Sequence, residues 1–263
     1  MHLYFARHAQ SENNALEGHP DYFTRRSEDP GITHTGWLQA RALAELIAGD
    51  AARHATARSH RLYRNPWNHE GFGITHIYCS LQRRAVETAS CVGAALDMDV
   101  TGWAPIHECG GIVAYDTTSE SFVGRPGATP ETIRGWHSRI VLGNDALPAG
   151  WWDSRPIEAR EQSVERAKLV SRELLERHGG TDDHVLFVSH SMFYVYLMCE
   201  MLGTPFRNEL WFTLNNCALT RLDIGDGDDY EPGMDAGMSK LGGNPVRVTY
   251  MNRIDHLPVE IVT

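Results

Sequence analysis

HVLFVSHSMFYVYLMCEML, residues 184–202, decides how the rest of the chain is read. Its first part, 184–190, is a near-continuous apolar run without polar alternation. That is the pattern of a strand covered on both faces, as in a parallel sheet sandwiched by helices. Residues 191–202 carry the apolar character on as a helix. The most apolar part, 192–202, is too short to span a bilayer and contains Glu200. A strand that runs directly into a helix, with His190 at the junction, is half of a βαβ unit.

The same arrangement recurs outward from this segment. HLYFA (2–6) is a short buried strand that ends in Arg7 and His8. ITHIYCS (74–80) is another strand, followed by a helix over 81–96 with Ser80 at its N-cap and Arg83 and Arg84 in its first turn. A helix over 34–49 places Trp37, Ala40, Ala44 and Ile47 at helical spacing and stops at Gly49. A helix over 163–179 shows Val164, Ala167, Val170 and Leu174 on one face before Gly179 and Gly180. Residues 217–224 and 246–252 are β-rich and read as the last strands.

Strands alternating with helices predict an α/β fold. Its form is a three-layer α/β/α sandwich around a mainly parallel central sheet. Two stretches break the pattern. Residues 103–160 are rich in Gly, Pro and Trp and read as an insertion over the C-terminal edge of the strands. Residues 225–245 are acidic and turn-rich and read as a long loop or hairpin.

The chain has 263 residues and a formal charge of −10, which argues against a general electrostatic grip on nucleic acid. A local basic pocket for a small anion remains compatible with it. Five cysteines, an odd number without a CxxC pair, read as reduced thiols. No membrane segment and no leader are expected, since the sequence opens on MHLYFA, and the protein is read as cytoplasmic.

The three strand ends share one chemistry. In an open α/β sheet, ligands bind beyond the carboxyl ends of the strands. If the three strands are parallel neighbours, His8 and His190 converge there with Arg7 and the arginines at 83 and 84. Helix N-termini near 81 and 191 add N–H groups that favour an anion. Arginine in the first turn of a helix opposes the helix dipole unless an anion sits nearby. Guanidinium groups match phosphate oxygens, and phosphoryl transfer needs mainly positioning and charge neutralisation. No cofactor and no metal are called for.

With these residues in place, the chain resembles the histidine phosphatase superfamily, also called phosphoglycerate-mutase-like. RHAQSENN (7–14) is similar to its RHG-x-S-x-x-N motif, with Ala9 for the usual Gly. DPGITHTGWLQA (29–40), SLQRRAVETA (80–89) and VLFVSHS (185–191) resemble its later motifs in the same order, with Ser191 again replacing Gly. The resemblance implies a single domain over 1–263. It implies His8 as a nucleophile that becomes phosphorylated, with Arg7, Arg84 and His190 completing a phosphate pocket. The register of RAVETA selects Arg84 over Arg83. Asn14 is implied as a further pocket residue. Ser11 is either a weaker contact or the cap of a helix starting near residue 12. The branch that uses Asp after the second histidine is excluded by Ser191. Glu108, in IHECGG (106–111), is then the expected proton donor and later base.

The mutase subgroup carries E-R-H-Y-G where this chain has E-C-G-G. The expected activity is therefore hydrolysis of a small phosphorylated metabolite. The alternatives are a mutase or phosphotransferase and, behind them, a non-catalytic phosphate binder. The aromatics of 103–160, among them Trp151, Trp152, Tyr115 and Phe122, are expected at the pocket mouth or in packing.

Overall fold

The computed structural model describes residues 1–49, 68, 71–225 and 240–263. An eight-stranded sheet carries the molecule. It is built from β1 (His2–Arg7), β2 (His76–Cys79), β3 (Val100–Gly102), β6 (Ile140–Leu142), β7 (His184–Ser189), β8 (Leu219–Ile224), β9 (Lys240–Leu241) and β10 (Asn244–Arg253). The spatial order is β6-β3-β2-β7-β1-β8-β10-β9. The run from β6 to β1 is parallel, and β8, β10 and β9 continue it antiparallel.

Helices cover both faces. On one lie α3 (His34–Gly49) and α4 (Arg83–Leu96), and on the other α6 (Arg160–His178) and α7 (Ser191–Met201). Along β1, Tyr4 and Ala6 face the first core while Leu3 and Phe5 face the second. Along β7, Leu186 and Val188 oppose Val185 and Phe187 in the same way. Each strand residue is thus buried on one side or the other, which is why 184–190 shows no polar alternation. Burying a Leu, Val or Phe side chain of this kind contributes about 1.5–3 kcal/mol.

Register decides where the chemistry lies. Arg7 is level with Ser189, and Cys79 with Val188. The next residues, His8, His190 and Ser80, therefore leave the sheet together at its carboxyl edge.

Several expectations shift. The α4 helix begins at Arg83 with Gln82 at its N-cap, not at 81 with Ser80. Ser80 sits two residues upstream, and its Oγ accepts from the Gln82 N–H at 3.2 Å. Trp37 lies off the buried face of α3 at 36% exposure. Gly36, Gln39, Ala40, Leu43 and Ile47 form that face instead. The stretch 103–160 is more than an insertion. It holds the hairpin β4 (Val113–Asp116) and β5 (Ser121–Gly124) and the helix α5 (Pro130–Trp136), and it supplies β6 to the main sheet. Three-residue strands such as β3 and β6 are too short for a period-2 pattern to register. Most of the expected loop over 225–245 lies outside the described residues. Its end forms the tight β9–β10 hairpin around Gly242 and Gly243, both at positive φ.

Candidate active site

His8 stands one residue past β1 and is buried. Its Nδ1 lies 2.7 Å from the Ala9 carbonyl oxygen, so it donates there and carries the ring proton. Arg84 Nε donates to His8 Nε2 at 3.2 Å, which requires a lone pair on Nε2. Both contacts select the same tautomer. Burial first, then the charges of Arg84 and Arg7, hold the ring well below the ordinary imidazole range. It is a neutral base with its free electron pair facing a guanidinium.

His190, at the N-cap of α7, lies beside it with ring centroids 5.0 Å apart. It is fully buried, and neither ring nitrogen has a partner among the described residues. Burial, then Arg84 and His8, keep it neutral too.

Two guanidinium groups face this pair. Arg7 donates from Nη1 to the Leu214 carbonyl at 2.8 Å, while its Nε is buried without a partner among the described residues. Arg84 is buried. Its neighbour Arg83 is turned outward at 43% side-chain exposure and pairs with Glu87 at 2.7 Å. Helix geometry separates them, since successive residues diverge by about 100°.

Glu108 approaches from the insertion. Its carboxylate accepts from the backbone N–H groups of Phe193 at 3.0 Å and Met192 at 3.3 Å, in the first turn of α7, and from Cys109 at 2.9 Å. A negative group is favoured at this helix end. The Glu108 N–H donates to Gln82 Oε1 at 2.8 Å, tying the insertion to the start of α4. The two glycines that follow have a steric reason. Gly110 and Gly111 are at positive φ, and a Cβ on Gly111 would lie 2.1 Å from the Trp152 ring. His107 is buried against Trp151 and Trp152, and burial pushes it down to about 3.

The remaining expected residues support the walls. Ser11 is the N-cap of α1 (Glu12–Ala15), so of its two readings the structure shows the cap. Asn14 closes the capping box, accepting from Ser11 N–H at 3.1 Å and Ser11 Oγ at 2.9 Å, and donates to Glu17. Neither Ala9 nor Ser191 has a positive φ, so a β-carbon is tolerated where glycine is usual.

Some functional neighbours escaped the sequence reading. Asn216 donates to the His8 carbonyl at 2.8 Å, and in the same loop the Cys217 N–H donates to the Arg7 carbonyl while the Arg7 N–H donates to the Ala218 carbonyl. Nothing in the sequence around Asn216 links it to residue 8. Asp29 accepts from the Arg83 N–H at 2.9 Å, and burial pushes its carboxyl up to about 7 against the pull of Arg84. Thr88 accepts from the Ala9 N–H at 3.0 Å, and Gln39 from the Gln10 N–H at 2.7 Å. The threonine of RAVETA and the glutamine of WLQA thus brace the loop that carries His8. Arg26 stacks on Phe122, 5.2 Å from its centroid, and its charge reaches Arg84.

An uncharged imidazole facing one buried and one half-buried guanidinium suits a tetrahedral oxyanion. Curated relatives from Salmonella, including that of Salmonella arizonae, bear the name probable phosphoglycerate mutase GpmB. They are 24% identical over 225 residues, 85% of this chain and 85% of theirs. A mycobacterial glucosyl-3-phosphoglycerate phosphatase solved with VO3 matches with TM-score 0.57 and 19% identity over 96% of this chain and 99% of that one. A phosphoserine phosphatase from Entamoeba histolytica, solved with 3-phosphoglyceric acid, matches with TM-score 0.53 and 17% identity over 98% and 99%. These structures share the fold. The family model that describes the histidine phosphatase superfamily (branch 1) matches residues 67–230, more than half of the chain, from just before β2 to beyond β8. The chain belongs to the histidine phosphatase superfamily.

Proposed function

We propose that the protein hydrolyses a small phosphomonoester through transient phosphorylation of His8. The observation that carries this reading is the tautomer of His8, whose Nε2 lone pair faces Arg84 beside His190. In the first step Nε2 forms a bond to phosphorus and the bond from phosphorus to the leaving oxygen breaks. Glu108 gives that oxygen a proton. In the second step Glu108 takes a proton from water, the water oxygen bonds to phosphorus, and the phosphorus–Nε2 bond breaks. Arg7, Arg84 and His190 hold the non-bridging oxygens throughout, so the reading invokes no cofactor. Asn14 and Ser11 keep the His8 loop in shape.

The names of the neighbours support a small phosphorylated substrate rather than a macromolecule. The net charge of −10 agrees with that. Five free thiols suit a cytoplasmic setting, and among the described residues no helix is long and apolar enough to cross a membrane. A mutase is the second reading, carried by the names of the curated relatives. It needs side chains for a second acidic group, and E-C-G-G offers none where the mutase segment has basic ones.

The test is to quench the enzyme during turnover of a labelled phosphomonoester and map the label. Acid-labile, base-stable phosphate on the peptide carrying His8 is expected. Full turnover without such an intermediate would overturn the mechanism.

A further inference from the structure

The opposite, amino-terminal edge of the sheet carries a second histidine cluster that the phosphatase reading does not use. His178 is the last residue of α6, Asp183 directly precedes β7, and His76 opens β2. Each offers a ligand atom, and these atoms all lie within 4.8 Å of one another. His178 Nδ1 is 2.9 Å from Asp183 Oδ2, and His76 Nδ1 is 3.9 Å from Asp183 Oδ1. The two imidazole rings meet edge to face at 4.6 Å.

We propose that His76, His178 and Asp183 form a binding site for a divalent transition-metal ion of the zinc type. Zinc takes imidazole nitrogen and carboxylate oxygen at about 2.0–2.1 Å in a tetrahedron, which sets neighbouring ligand atoms about 3.3 Å apart. The separations of 2.9 and 3.9 Å lie on either side of that value. Reaching it requires His76 Nδ1 to leave Thr75 Oγ1, which it now meets at 2.9 Å. The ion takes the place of the proton that His178 Nδ1 now donates to Asp183, and the neutral ring carries its proton on Nε2 instead.

The surroundings are already those of a ligand set. His178 Nε2 lies 3.0 Å from the Tyr78 hydroxyl, so with Nδ1 on the metal its Nε2–H donates to Tyr78. Such an outer partner fixes both ring orientation and tautomer. The turn between the two ligands is braced. Thr181 Oγ1 donates to the His178 carbonyl at 2.8 Å and accepts from the Asp183 N–H at 3.1 Å. The His178 side chain is 4% exposed, whereas His76 is 44% and Asp183 26% exposed. The ion therefore has a protein wall behind it and an entry path in front, with a fourth position for water. The six residues of β7 separate this edge from His190 by roughly 20 Å at about 3.3 Å per residue. The site is thus remote from the phosphate pocket and stands or falls independently of the proposed hydrolysis.

The experiment uses untagged full-length protein dialysed against EDTA and titrated with zinc by calorimetry, and with cobalt(II) by visible absorption. One equivalent of zinc, a raised unfolding temperature and a four-coordinate cobalt spectrum are expected. His76→Ala, on an exposed side chain, should weaken zinc binding by about tenfold or more, and Tyr78→Phe by about tenfold through the outer partner. Absence of uptake by the parent protein would overturn the proposal. So would uptake with an affinity that His76→Ala does not change, which would place the ion elsewhere.

Discussion

The two edges of the central sheet use histidine in opposite ways. At the carboxyl edge, His8 and His190 are buried beside Arg84 and Arg7, and none of the described carboxylates bonds to either ring. At the amino edge, His2 pairs with Asp223 at 2.5 Å and His178 with Asp183 at 2.9 Å. Asp223 is buried, which pushes its carboxyl up. The bond to His2 and the guanidinium of Arg221 outweigh this and hold it below the usual range. One edge surrounds imidazole with positive charge and leaves ring nitrogens for a ligand. The other sets His2 and His178 against carboxylates, the arrangement on which the proposed zinc site rests. The residue type is the same, and the sign of the neighbouring charge decides whether an anion or a cation is the fitting ligand.

The largest expected effect falls on the carboxyl edge. His8→Ala should lower phosphomonoesterase turnover by on the order of 10⁴-fold or more, with an unchanged circular dichroism spectrum. A folded His8→Ala enzyme with ordinary turnover would remove the basis of the comparison.

Glu108→Gln should cost about 10²–10⁴-fold on esters with poor leaving groups and much less on nitrophenyl esters, because a basic alkoxide needs its proton early. Phosphoenzyme should accumulate, since the same residue activates water. A penalty that is flat across a leaving-group series would move the acid elsewhere, with Glu120 or Asp116 of the same insertion next in line.

Arg84→Ala should cost about 10²–10³-fold in kcat/KM, as expected for removing a donor to developing charge. Arg83→Ala should cost far less, since its side chain faces Glu87. Equal losses at the two positions would show that the pocket takes its charge from a different face of α4.

Asp223→Asn sharpens the contrast from the other side. It breaks the buried pair with Arg221, whose side chains are 4% and 1% exposed. About 3–5 kcal/mol of stability should be lost in urea unfolding, while KM and kcat of the folded enzyme stay in place.

Acid should act first on the histidines held neutral by burial, His184 of the amino edge among them. The folded pKa values of His8 and His190 are depressed, so below about 6.5 the unfolded chain binds protons that the folded chain does not. Their neutral burial is fully tolerated above that pH. Stability then falls as pH drops, by up to about 1.4 kcal/mol per pH unit for each excluded proton. The Asp223 contribution is lost only lower, as pH passes below the ordinary Asp value of 3.8. Urea midpoints measured from pH 7 to 5 should show the first decline, and His190→Gln should flatten it.

Much of this contrast was legible in the chain, and for a local reason. The apolar run 184–189 and the strand 2–6 declare burial on both faces. The juxtaposition of His8 and His190 then needs only that the two strands be parallel neighbours. The register of Arg84 against Arg83 follows from helical rotation alone. Ser11 was open because a serine that caps a helix and one that contacts phosphate look alike in sequence. Only the position of the Asn14 side chain distinguishes them. The N-cap of α4 was misplaced because Ser80 has the better capping chemistry, whereas Gln82 is held there by its bond to the Glu108 backbone.

What the sequence by itself determined is the strands β1, β2, β7, β8 and β10, the helices α3, α4, α6 and α7, the parallel core and the identity of the two histidines and two arginines at its edge. These rest on periodicity and on residue chemistry within a few positions of one another. Only the tertiary structure decided which tautomer His8 adopts, that Asn216 braces it and Leu214 holds Arg7 from more than 200 residues away, and that Asp29 lies buried beside the arginines. It also decided that β6 leaves the insertion to join the sheet. The physical reason is common to all four. Each depends on burial and on hydrogen bonds between segments distant in sequence, and such contacts leave no periodic trace in either partner.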